Sequence, residues 1–126
     1  MKGVKNISIS IEWVRNPTWI FNPHCKMIIT FDDYTNEIII ARVSGCGYDK
    51  ESAVVGFAIN KSMYFKKLFN EKKPDEKQYY GLYCYKDGYY VGQGCGMKPI
   101  IDIIELSGLK LITENHGKSY DYYYFG

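Results

Sequence analysis

The stretch NISISIEWV, Asn6 to Val14, sets Ile7, Ile9, Ile11 and Trp13 against Ser8, Ser10 and Glu12. Strict alternation of this kind is the signature of a β-strand with one face buried and one face wet. A strand built this way needs neighbours in a sheet and a second layer over its apolar side. Two further β-branched runs, KMIITF and EIIIARV, follow with only DDYTN between them. Asp, Thr and Asn in a short connection make this pair a hairpin. The intervening NPTWIFNPHC carries two prolines and two asparagines and reads as a connection.

Two segments carry a helical period instead. In the first, Val54, Ala58, Phe65 and Phe69 recur at three- to four-residue steps, and Val55, Ile59 and Leu68 widen the stripe. Asp49 is the expected N-cap, Glu51 favours the first turn through the helix dipole, and the end is expected near Asn70. Gly56 inside this pattern costs about 1 kcal/mol against alanine, which close packing on the sheet would justify. The second helix is KPIIDIIELSG, with Pro99 in the first turn and Gly108 just past the end. YYGLYCY and YYV flank KDG as a further hairpin, and LKLITE with SYDYYYF closes the chain around NHGK. In that last strand Tyr120, Tyr122 and Tyr124 share one face, and Asp121, Tyr123 and Phe125 the other. The expected order is β-β-β-α-β-β-α-β-β over residues 1–126, a single α+β domain of antiparallel hairpins with two helices on one face.

Each helical pattern follows a G-C-G turn, Gly45-Cys46-Gly47 and Gly94-Cys95-Gly96. Glycine turns ahead of a helix expose backbone N–H groups to an anion. The spacings of the phosphate-binding and dinucleotide-binding loops are nevertheless absent, and Asp49 would repel a phosphate at the first turn. A cysteine in such a turn is a candidate nucleophile. It needs a base, and the two histidines are His24, beside a proline, and His116, in the expected closing turn. The simplest reading is structural: glycine lets a strand turn sharply into a helix lying on its own sheet. No catalytic residue is assigned and the chain is not read as an enzyme.

Composition narrows the partners. A net charge of +2 over 126 residues lacks the basic excess of a dedicated nucleic-acid binder. Lys66, Lys67, Lys72, Lys73 and Lys77 are interleaved with Glu71, Asp75 and Glu76, the pattern of a solvated helix end. There is no apolar run long enough to span a membrane and no signal-peptide core at the start, so a cytoplasmic location is expected. The four cysteines, Cys25, Cys46, Cys84 and Cys95, lack the close pairing of a zinc site or disulfide scaffold. They are expected to be free thiols, with no metal and no cofactor. The unusual feature is tyrosine, 13 residues of which seven cluster at 79–80, 89–90 and 122–124. Such residues fit a half-buried sheet, and they equally fit a recognition surface, where a large amphipathic ring gives contact area at little entropic cost.

GCGYDKES, GQGCG and HGKSYDYYYF together resemble a loose group of small proteins carried by phages and prophages of low-GC bacteria. That group opens its long helix with G-x-G-Y-D-K-x-S-x-A, here Gly45, Gly47, Tyr48, Asp49, Lys50 and Ser52, with Val54 in place of the alanine. It also shares the glycine-rich turn before the second helix and a closing G-K-x-x-D-x-Y, here Gly117, Lys118, Asp121 and Tyr123. The similarity covers roughly Glu37 to Phe125 and brings no catalytic residues with it. It implies an anti-CRISPR or other anti-defence setting. In that setting the chain would bind and inhibit a host protein complex, such as a nucleic-acid-guided nuclease. The expected binding residues are Tyr48, Asp49, Lys50, Tyr89, Tyr90, Lys118, Tyr120, Tyr122 and Tyr124. The alternative is a nucleic-acid-binding module in which sheet aromatics stack on bases beside lysines.

Overall fold

The computed structural model describes residues 3–14, 24–42, 58–59, 61–72, 97–117 and 120–126. Five strands and two helices lie within them: β1 (Ile7–Val14), β2 (His24–Phe31), β3 (Asn36–Arg42), α1 (Met63–Lys72), α2 (Lys98–Leu106), β4 (Leu111–His116) and β5 (Tyr120–Phe125). The strands form one antiparallel sheet in the order β3-β2-β1-β5-β4, so the class is α+β. The strand pair expected at YYGLYCY and YYV, both G-C-G turns, the helix start at Asp49 and Gly56 lie outside the described residues.

β1 keeps the alternation of its sequence: Ile7, Ile9 and Ile11 are fully buried while Ser8, Ser10 and Glu12 are half-buried. Pairing in register puts Ile9 opposite Ile29 of β2 and Tyr123 of β5, and Ile7 opposite Phe31 and Phe125. Directly opposed residues share a face, so the apolar rows line up across the sheet. β2 begins at His24, inside the segment expected to be a connection. Its hairpin with β3 closes through the Tyr34 N–H, which donates to Phe31 O at 3.0 Å. Asp33 accepts from the Thr35 N–H at 3.0 Å and from its hydroxyl, a side-chain turn of the kind Asp favours.

The helices supply the second layer. Ala58, Ile59, Phe65 and Leu68 are buried and Phe69 is partly so, as their spacing requires. α1 ends at Lys72, two residues beyond the expected Asn70. Its first turn is fixed by Ser62, whose Oγ accepts from the Phe65 N–H at 3.1 Å and donates to Glu37 Oε1 of β3 at 2.5 Å. α2 turns Pro99, Ile100, Ile103 and Ile104 inward, with Pro99 in its first turn. It stops at Gly108, where a φ of +109° suits a residue without a side chain. The buried side chains of both helices form a single cluster with the inner face of the sheet. Tyr64 packs edge-on against Phe31 with ring centroids 5.1 Å apart. Burying each isoleucine of this cluster contributes about 1.5–3 kcal/mol.

Candidate functional site

The face of the sheet opposite the helices carries Tyr120, Tyr122 and Tyr124, the sequence-predicted tyrosines that lie within the described residues. β5 alternates as expected: Asp121, Tyr123 and Phe125 are buried, Tyr122 and Tyr124 half-buried, and Tyr120 exposed. Register extends this alternation into three rows across the sheet. Asn36, Thr30, Ser8, Tyr124 and Thr113 form the first row, and Ile38, Ile28, Ser10, Tyr122 and Asn115 the second. Ile40, Lys26, Glu12 and Tyr120 form the third. Tall phenols on β5 therefore stand beside small serines on β1, with isoleucines on β2 and β3 beyond.

Two exposed isoleucines sit at the β3 side, Ile38 at 55% and Ile40 at 50% of their full accessibility. They are the counterpart of the tyrosines on the other side of the serine column. The charges in these rows are Glu12 and Lys26, and they face each other, Lys26 Nζ 3.0 Å from Glu12 Oε1. These three rows thus carry no net charge and hold hydroxyl, amide, aromatic and aliphatic groups together. That mixture is the chemistry of protein recognition surfaces.

At the end of the β4–β5 hairpin this face meets a shallow concavity of about 360 Å³ lined by Asn115, His116, Gly117, Tyr120 and Tyr122. His116, expected in the turn, is the last residue of β4 and lies opposite Asp121. The strand ladder runs on past the expected boundary, and the Gly117 N–H donates to Tyr120 O at 3.0 Å. The imidazole is held at both nitrogens, Nε2 2.7 Å from Glu114 Oε1 and Nδ1 3.3 Å from Asp121 Oδ1. Its ring meets that of Tyr123 edge-on at 5.6 Å. Asp121 is 6% exposed on the helix side of the sheet, and a carboxylate so placed requires a partner such as this.

The cluster is poorly suited to nucleophilic or metal chemistry. A histidine with a carboxylate on each nitrogen has neither free to take a substrate proton. The two acids sit on different ring nitrogens, so the three donors do not converge. Among the described residues no group of three or more His, Cys, Asp or Glu is arranged to hold a metal ion. Cys25 is fully buried in the core, on β2. The other cysteines lie outside the described residues, as do Tyr48, Asp49, Lys50, Tyr89, Tyr90 and Lys118. Of the expected binding residues the structure thus places Tyr120, Tyr122 and Tyr124, and it brings them to one face. Sequence reasoning missed Ile38, Ile40, Ser8 and Ser10 as their neighbours, because only strand order makes them adjacent.

No helix among the described residues is long and apolar enough to cross a membrane. No known family, curated protein or solved structure matches this chain.

Proposed function

We propose that this protein is a small binding module that docks another protein on the tyrosine face of its sheet and inhibits a host macromolecular complex by stoichiometric association. One observation carries the reading: Tyr120, Tyr122 and Tyr124 project from one strand onto a face whose charged pair, Glu12 and Lys26, neutralises itself. Tyrosine is, with tryptophan and arginine, among the residue types enriched at interface hot spots. The likeness of GCGYDKES and HGKSYDYYYF to phage-borne proteins directs the reading toward a defence complex, with a CRISPR effector as the first partner to try.

The nucleic-acid alternative has the sheet aromatics in its favour and the charges against it. Lys26 is the cation in the three rows, and Glu12 occupies it. Affinity for phosphate backbones comes from several uncommitted Lys or Arg side chains.

The test is capture of partners from host lysate, with and without nuclease treatment, by the wild-type chain and by a Tyr120→Ala/Tyr122→Ala/Tyr124→Ala variant of unchanged far-UV circular dichroism. A protein complex retained near stoichiometry by the wild type should fall at least about 10-fold in affinity with the variant, the loss of one strong hot spot. Equal capture by both would refute the assignment of this face. Retention of nucleic acid alone, lost on nuclease treatment, would replace the reading with the alternative.

A further inference from the structure

The hairpin between β2 and β3 lies on the other side of β1 from the tyrosines of β5, and its tip carries a different set of groups. We propose that this tip is a second protein contact, in which the Tyr34 ring enters an apolar slot of the partner and Asp33 meets lysine or arginine on the rim of that slot. It rests on the reading that this chain docks a protein, and it does not depend on the tyrosine face.

Three observations converge on the tip. The first is Tyr34 itself, at 88% exposure the most exposed large hydrophobic side chain among the described residues. Its φ of +68° is the left-handed position that closes a three-residue hairpin loop, where glycine is the usual occupant. A ring so exposed contributes no packing that would offset the strain of this backbone. Strained conformations that persist without an internal return concentrate at sites of function.

The second observation is the mount. The Phe31 N–H donates to Thr35 O at 2.9 Å and the Tyr34 N–H to Phe31 O at 3.0 Å. Asp32 Oδ2 accepts from the Lys5 N–H at 2.8 Å, which ties the loop to the chain just ahead of β1. Phe31, at the base of the loop, is buried edge-on against Tyr64. An anchor held on a fixed base gives up little entropy when it binds.

The third observation is charge. Asp33 is exposed and takes its hydrogen bonds from the N–H and hydroxyl of Thr35, and Asp32 takes its own from a backbone N–H. Neither carboxylate is in an ion pair among the described residues. Their negative charge is therefore met by neutral donors alone, and a complementary partner places cations opposite it. The same carboxylates disfavour a nucleic acid, whose phosphates they would repel, and an anionic membrane surface for the same reason.

The test uses the full-length chain with the photo-cross-linker p-benzoylphenylalanine in place of Tyr34 or, as a control, in place of Met63 on α1, itself 79% exposed. Both are irradiated in host lysate, with and without nuclease treatment, and adducts are mapped by mass spectrometry. One protein should cross-link from position 34 and not from position 63, unaffected by nuclease, at a patch where Lys or Arg flanks apolar residues. Unlabelled chains then compete for that adduct. Tyr34→Phe, which keeps the ring, should compete like the wild type. Tyr34→Gly should compete at least about 10-fold less well, the loss of one hot spot, at a urea midpoint no lower than that of the wild type. Asp33→Asn keeps an acceptor for Thr35 and removes the charge. It should compete about 3-fold less well at low salt and like the wild type in about 0.5 M salt. No adduct specific to position 34, an adduct on nucleic acid or on an acidic surface, full competition by Tyr34→Gly, or an unchanged Asp33→Asn at low salt overturns the proposal. The two contacts fail separately. Full competition by Tyr34→Gly beside a loss with Tyr120→Ala/Tyr122→Ala/Tyr124→Ala removes the tip and keeps the face. The opposite pattern keeps the tip and removes the face.

Discussion

Tyr34 shows most plainly how a single residue departs from what its sequence surroundings suggest. It sits at the tip of the β2–β3 hairpin with φ of +68° and is 88% exposed. An L-residue held there loses about 1 kcal/mol that glycine would not. The neighbouring Asp33 explains why the turn tolerates it. Its carboxylate takes both bonds from Thr35, and these hold its pKa below the ordinary value. Tyr34→Gly should therefore stabilise the fold by about 0.5–1 kcal/mol, since no buried contact is lost. A rise in the urea midpoint at unchanged m-value would confirm it; a fall would mean that the ring packs on something in solution. DDYTN was legible as a turn from its composition. The left-handed residue within it was not, because tyrosine is an unusual choice for that position.

Among the elements, the strands were more legible than the helices. Alternation in NISISIEWV gave both the strand and its buried face, and the structure buries Ile7, Ile9 and Ile11 accordingly; in SYDYYYF it gave the strand and its two faces, and the structure buries the one that carries Tyr123 and Phe125. The apolar stripe of α1 was equally clear, yet the role of Ser62 was hidden. A serine inside a long helical period reads as a neutral surface position, whereas here it is 1% exposed and joins the helix to β3 through Glu37. Ser62→Ala removes the acceptor for the Phe65 N–H and leaves the Glu37 carboxylate short of a donor. The expected cost is about 2 kcal/mol, a capping loss plus an unsatisfied acceptor, read as a lowered urea midpoint. Ser62→Thr, which keeps the hydroxyl, should recover part of it. An alanine variant as stable as the wild type would show that this junction contributes nothing.

On the scale of the whole molecule, Tyr64 reports on the packing of the helices against the sheet. Burial raises its phenol pKa above the ordinary 10.0; the Glu71 charge also raises it, while a hydrogen bond with Ser107 works the other way. In the folded state the phenol therefore holds its proton at a pH where the unfolded chain has already lost it. Stability from this group is complete below about pH 10 and declines as pH rises beyond that. Tyr64→Phe keeps the ring and removes the titration, so its unfolding free energy should fall less steeply than that of the wild type between pH 10 and 11. Identical slopes would mean that the phenol is not buried in solution. The sequence by itself determined the α+β class, the buried face of β1, the apolar stripe of α1 and the stop of α2 at Gly108. These follow from local periodicity and backbone sterics, which each segment carries alone. Only the tertiary structure decided that β5 lies between β1 and β4, and so that Tyr122 stands beside Ser10 and in line with Ile28 and Ile38. Strand order is a choice among long-range pairings of similar local quality, settled by how all the apolar rows close into one core. The tyrosine face exists because of that choice.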